Sequence, residues 1–185
     1  MRVDDLTDPV VFDRFYRALL RDVLAWVIRL GGPLLDPEAV TQDAFVMAHR
    51  RASTFRGGSE RAWMYGITRR VVANARRRAK LRQFIGLHTL APLPDPGPTT
   101  DERVARLARR RRVQQLLEQL SDKHREALVL VDLEGHSAVE AAAMMGVAVN
   151  TVYSRLFYAR KAFSALAGPE GAALGGGIAA LRGER

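Results

Sequence analysis

Two sets of side chains in this sequence have the chemistry to hold a polyanion. Thr151, Ser154, Arg155, Tyr158 and Lys161 combine hydroxyls with cations, the groups that bond base edges and phosphate oxygens. Arg69, Arg70, Arg76, Arg77, Arg78, Lys80 and Arg82 form the second set, and no acidic residue follows Glu60 until Asp95. A solvated helix usually mixes charge signs, so a run of one sign predicts an anion that relieves the repulsion. Enzymatic chemistry has no comparable basis. His49, His88, His124 and His136 show neither metal-ligand spacing nor a neighbouring nucleophile pattern. Gly175-Gly176-Gly177 follows no strand, which argues against a phosphate loop. No catalytic residue, metal or cofactor is expected.

The elements that must position the first set read as helix, turn, helix. Ser137 with Glu140 is a capping box, and Gly146 suits the left-handed residue that closes a helix. Val152, Leu156, Ala159 and Phe163 then recur at helical spacing as a buried stripe, leaving the polar set on other faces. This pattern fits a helix-turn-helix whose second helix enters the major groove. An ordinary helical hairpin with a solvated face fits the same residues, so the rest of the chain must decide.

The 185 residues carry a formal net charge of +9. The excess is +7 over residues 1–83, −1 over 84–100 and +3 over 101–167, so two basic segments flank a stretch that is not basic. A polyanion is the natural partner; ribosomal or membrane-surface binding would also explain the charge, so its sign alone does not decide. There is no cysteine, hence no disulfide framework. No apolar run approaches the ~18 residues of a membrane span, and Met1-Arg2-Val3-Asp4-Asp5 lacks a signal-peptide core, so a soluble, cytoplasmic protein is expected.

Asp8-Pro9 and Asp36-Pro37 each place an aspartate cap before a proline at the first helical position. The first predicted helix buries Val11, Phe12, Phe15, Leu19, Val23, Trp26, Val27 and Leu30 and ends at Gly31-Gly32-Pro33. The second runs to about Ser53 with Val40, Ala44, Met47 and Ala48 inward. Ser59 caps a third, whose core positions are Trp63, Ile67, Val71 and Val72 or Ala75. From His88 to Thr100 the prolines Pro92, Pro94, Pro96 and Pro98 predict an extended linker. Beyond it a basic helix from Asp101 passes Arg109 to Arg112 and buries Val113, Leu116, Leu117 and Leu120. A further helix capped by Ser121 turns Ala127, Leu128, Val131 and Leu130 inward. The Arg109 to Arg112 run fits contact with DNA or a protein as well as it fits a solvated linker end. After Ala167 the chain is rich in glycine and alanine, with at most a weak helix over Ile178 to Leu181.

The predicted fold is therefore all-α: two small helical domains over residues 1–83 and 112–167, a linker over 84–111, and a flexible tail over 168–185. With both modules in view, the chain resembles the small two-domain bacterial sigma factors of the extracytoplasmic-function group, within the sigma-70 family. The resemblance rests on Asp36-Pro37-Glu38-Ala39-Val40-Thr41-Gln42-Asp43-Ala44-Phe45, on Thr54-Phe55-Arg56-Gly57, and on Arg61-Ala62-Trp63-Met64-Tyr65-Gly66-Ile67. It continues through Leu120 to Gly135, Val149 to Leu156, and Ala159-Arg160-Lys161-Ala162. Separately these motifs are weak; their order over residues 10 to 166 makes them specific.

The resemblance implies a promoter-specificity subunit of RNA polymerase. Gln42, Asp43 and Arg50 would dock on core polymerase. Phe55, Arg56, Arg69, Arg70, Asn74, Arg77 and Arg78 would engage the minus-ten promoter element. Asn150, Thr151, Ser154, Arg155, Tyr158, Arg160 and Lys161 would engage the minus-thirty-five element, with Arg160 and Lys161 on its backbone. An anti-sigma partner that masks these surfaces is expected by the same resemblance. The alternative is a stand-alone helix-turn-helix regulator that never docks on polymerase, which leaves the first module without a role.

Departures from the family pattern matter. Arg70 and Asn74 stand where asparagine and aspartate are common, so promoter preference does not transfer. Ala148 replaces a usual serine or proline cap, a loss of about 1 kcal/mol unless Asn150 substitutes. Tyr153 and Phe157 occupy positions often held by lysine and histidine. Phe157 and Trp63 are both expected to pack in the core, since aromatic residues on helical faces more often do.

Overall fold

A computed structural model describes residues 5–85 and 101–168, and these form two units divided between Ala91 and Pro92. In the first unit, α1 (Pro9–Gly31) packs against α2 (Pro37–Arg50) and α3 (Glu60–Phe84), and α2 packs against α3. The Asp8 carboxylate accepts from the amides of Val10 and Val11, and Asp36 does the same for Glu38 and Ala39. Both aspartate–proline starts therefore act as the chain order predicts.

The first core is built on Phe15, Leu19, Val23, Trp26, Val27 and Leu30 of α1, facing Val40, Ala44 and Phe45 of α2 and Met64, Tyr65, Ile67, Val71 and Val72 of α3. Trp26 and Tyr65 meet edge to face at 5.1 Å. Several burial expectations differ. Phe12 and Val11 are only half-buried, and Phe45 takes the inward place expected of Met47. The second helix ends at Arg50, and a short 3-10 turn over Ala52–Thr54 carries the chain on to Ser53 and beyond.

The second unit comprises α4 (Asp101–Gln119), α5 (Asp122–Leu128), a π-helical turn (Val129–Leu133), α6 (Ala138–Met145) and α7 (Val149–Ala167). α4 thus occupies residues 101–111 of the stretch assigned to a linker. The predicted proline linker over His88 to Thr100, the tail from Pro169 and its weak helix over Ile178 to Leu181 lie outside the described residues.

Arg125, 2% exposed, is the chief polar member of this second core. Its guanidinium donates to the carbonyls of Leu117 at 2.6 Å, Glu118 at 2.9 Å and Leu120 at 3.0 Å, adding to the Leu120 amide that Leu117 already accepts and supplying a donor to the other two at the end of α4. The π turn explains a slip in the predicted burial. Glu134 N–H bonds to the Val129 carbonyl, five residues back. That wider turn brings Val129, Leu130 and Leu133 inward and leaves Val131 half-buried, so a 3.6-residue period carried through it fails.

Candidate nucleic-acid interface

The helix-turn-helix is assembled from local bonds. Ser137 Oγ accepts from the Glu140 amide at 3.2 Å, while Glu140 Oε2 accepts from the Ser137 amide at 2.8 Å. Gly146 closes α6 at φ 66°, where a side chain would be strained. α7 begins without a side-chain cap at Ala148, and Asn150 does not supply one. Its first turn is held by the Ala148 carbonyl, which accepts from Thr151 at 2.9 Å and Val152 at 3.3 Å.

Val152, Leu156, Ala159, Phe163 and Ala167 form the buried stripe of α7. Asn150, Ser154, Phe157 and Lys161 follow one another along the opposite line at steps of four, three and four residues, and all are exposed. Thr151 and Arg155 are half-buried on one flank. Phe157 is 64% exposed, contrary to its expected packing role. At 100° per residue, position 157 falls on the line of Ser154 and Lys161, away from the buried stripe. Its ring meets Tyr158 edge-on at 5.4 Å, and Tyr158 in turn stacks on His124 of α5 at 6.3 Å and 25°. Tyr153 is exposed as well, so α7 presents three aromatic rings on its surface.

Arg160 is exposed and has a partner within the protein. It forms a two-pronged pair with Asp132 of the π turn, at 2.7 and 3.0 Å, which compensates its charge inside the protein. That contact raises the Arg160 pKa, chiefly through the hydrogen bond to Asp132. Lys161, the next residue, is exposed as well. Burial, with the charges of Lys123 and Arg155, lowers the His124 pKa.

In the first unit, α3 exposes Arg70, Asn74, Arg77 and Arg78, with Arg77 donating to the Asn74 side chain. Arg69 and Arg76 are half-buried. Arg76 donates to the Leu30 carbonyl at 2.9 Å and ties α3 to the end of α1. The cationic face is consequently narrower than the sequence run. At the start of α3, Arg61 pairs with Asp22 at 2.7 Å and lies 5.5 Å from the centre of the Trp26 ring. Trp63 is half-buried, between Phe15 at 5.9 Å and Phe55 at 5.4 Å, so it is neither fully in the core nor free to stack. Arg56 is exposed and bonds the Ser53 carbonyl at 2.9 Å; Gly57 and Gly58, at φ 90° and 91°, shape the loop behind it.

Gln42, Asp43 and Arg50 share the outer face of α2 with Val46, all four exposed. Beside them lies a groove of about 580 Å³ lined by Phe12, Tyr16, Leu20, Leu24, Phe45 and Val46 among others. The Thr41 hydroxyl also lines it and, although buried, makes no hydrogen bond. Sequence reading missed this groove. Its signal was the step of four from Phe12 through Tyr16 and Leu20 to Leu24, a second apolar stripe beside the core stripe of α1.

Geometry alone defines an all-helical protein with a helix-turn-helix in one unit and a basic helix beside an apolar groove in the other. Among the described residues no cluster of His, Cys, Asp or Glu could hold a metal ion, and no helix is long and apolar enough to cross a membrane. Comparison with known proteins is more specific. The sigma-70 region 2 family model matches residues 15–82, and that of sigma-70 region 4 matches residues 110–163. An ECF RNA polymerase sigma factor of Mycobacterium tuberculosis, SigM, is 33% identical over 162 residues, spanning 87% of this chain and 79% of its own. The RNA polymerase sigma factor CnrH of Cupriavidus metallidurans is 34% identical over 146 residues, spanning 74% and 75% respectively. The Bartonella quintana sigma factor RpoE, solved in complex with the anti-sigma factor NepR, superposes with a TM-score of 0.61 at 26% identity, covering 84% of this chain and 95% of that one. The chain belongs to the extracytoplasmic-function RNA polymerase sigma factors of the sigma-70 family.

Proposed function

We propose that this protein binds core RNA polymerase and directs it to a small set of promoters, acting as a non-catalytic initiation factor in the cytoplasm. One observation carries the reading: each unit falls within its own sigma-70 region in the family's order, the first with an exposed cationic face on α3 and the second with an exposed polar and aromatic face on α7. Gln42, Asp43 and Arg50, on one exposed face of α2, dock on polymerase, and the neighbouring apolar groove adds contact area that polar residues alone lack. Arg69, Arg70, Asn74, Arg77 and Arg78 of α3, with Phe55 and Arg56 of the preceding loop, hold the minus-ten element. Cations there bind phosphates while the half-buried Phe55 ring receives an unstacked base. Asn150, Thr151, Ser154, Arg155, Tyr158 and Lys161 of α7 read the minus-thirty-five element, and Phe157 joins them on the strength of its exposure. Arg160 supports α7 from behind through Asp132. The RpoE–NepR complex supports an anti-sigma partner for this chain too.

The test is run-off transcription with purified core polymerase. The protein should enable initiation at promoters mapped after its overexpression. Asp43→Ala should weaken core binding and spare minus-thirty-five duplex binding, and Arg155→Ala should do the reverse. A protein that binds promoter duplex tightly alone yet never enables core to initiate would be the stand-alone regulator instead.

A further inference from the structure

The last turn of α3 carries a feature that the cationic face does not explain. Leu81, Phe84 and Ile85 are 61%, 90% and 57% exposed and, at spacings of three and four, cluster on one side. That side continues the line of Arg70, Asn74 and Arg77: Leu81 stands four residues after Arg77, and Phe84 seven. Exposed cations surround the cluster at Arg77, Arg78, Lys80 and Arg82, and α3 holds no acidic residue after Glu60.

We propose that Leu81, Phe84 and Ile85 form a stacking platform for an unpaired base of the promoter strand displaced by melting. Two properties select that occupant. An apolar protein surface would satisfy the three side chains but leave the ring of like charges facing it, whereas a nucleic-acid strand supplies phosphates for the cations and a π face for Phe84. A paired duplex offers base edges rather than faces, so the ring finds its partner only where the strands have separated. Phe84 lies 14 residues beyond Arg70, about 21 Å along the helix. The proposal rests on the reading that α3 faces promoter DNA.

The experiment uses the full-length protein with core polymerase and a synthetic fork promoter whose displaced strand is scanned with single abasic sites. Wild-type holoenzyme should lose about 5- to 100-fold affinity at one position beyond those sensitive to Arg77, the range for one stacked base. Phe84→Ala should lose affinity for the intact fork by a similar factor and be insensitive to the abasic site there, and Phe84→Trp should restore both. Affinity for core alone should not change in either variant, and neither should thermal stability, because Phe84 packs against little. Wild-type affinity for forks in Phe84→Ala, or a loss confined to core binding, overturns the platform. Arg77→Ala separates the two readings: if it weakens fork binding while Phe84→Ala does not, α3 faces DNA without this platform, and if both are silent the DNA-facing reading of α3 falls with it.

Discussion

Arg160 on α7 reaches back 28 residues to Asp132, its Nε and one terminal nitrogen each donating to a different carboxylate oxygen. The pair fastens the C-terminal half of the recognition helix to the π turn, and it takes Arg160 out of the set of free cations. Lys161, one residue on, has no such compensation among the contacts described. Lys161→Ala should thus lower the slope of log affinity against log salt for minus-thirty-five duplex by about 1. Arg160→Ala should leave that slope near the wild-type value and instead cost about 0.5–1 kcal/mol of stability, the range for a pair with one exposed partner. Asp132→Asn should cost the same, and the double variant no more than either single one. Equal slopes for Lys161→Ala and Arg160→Ala would return Arg160 to the DNA contacts.

Arg125 holds three carbonyls at the junction of α4 and α5. Arg125→Met fills similar volume without donors and takes away the guanidinium that the Glu118 and Leu120 carbonyls accept from, while Leu117 keeps the Leu120 amide; the loss should be about 2–3 kcal/mol. Urea unfolding of the full chain, followed with a probe in the second unit, measures it. A loss below about 1 kcal/mol would mean that water reaches the α4 terminus as readily as the guanidinium does.

Gly146 tests the turn between α6 and α7. A Cβ built there meets nothing within 4 Å, so Gly146→Ala changes no packing and isolates the backbone strain of φ 66°. The expected loss is about 1–2 kcal/mol, with Gly146→Asn milder because asparagine tolerates the left-handed region. Thermal melts of the three proteins should rank glycine, asparagine, alanine.

How far each element could be read from sequence follows from whether its cause is local. The aspartate–proline starts, the Ser137–Glu140 box and Gly146 act within a few residues, and each was visible before any fold was known. Arg125 looked like one more surface cation in a basic chain, because what buries it is the end of a different helix. Val131 was misassigned because a π turn has no period to count. Phe157 was drawn inward by a general preference of aromatic rings, although its phase in α7 already set it beside Ser154 and Lys161. Similarly, the Arg76 side chain is spent on the Leu30 carbonyl, 46 residues away, a contact no spacing rule reveals.

His124 gives the protein a predictable response to acid. Burial is the first cause of its lowered pKa, followed by the charges of Lys123 beside it on α5 and Arg155 on α7; Tyr158 stacks on its ring, and Asp122, the nearby acid on α5, is paired with Arg125. A histidine whose pKa is lower folded than unfolded binds fewer protons in the native state. Its contribution to stability is full above the ordinary value of 6.5 and declines as pH falls through 6.5 toward the native value. Wild-type protein should accordingly lose more stability between pH 7.5 and 5.5 than His124→Gln, which keeps a polar side chain but cannot take the proton. The comparison of variant with wild type cancels the other histidines and the carboxylates, which titrate in both. Parallel pH profiles in urea unfolding would show that His124 takes up its proton as freely in the folded protein as in the unfolded chain, and that Lys123 and Arg155 exert no effective field on its ring.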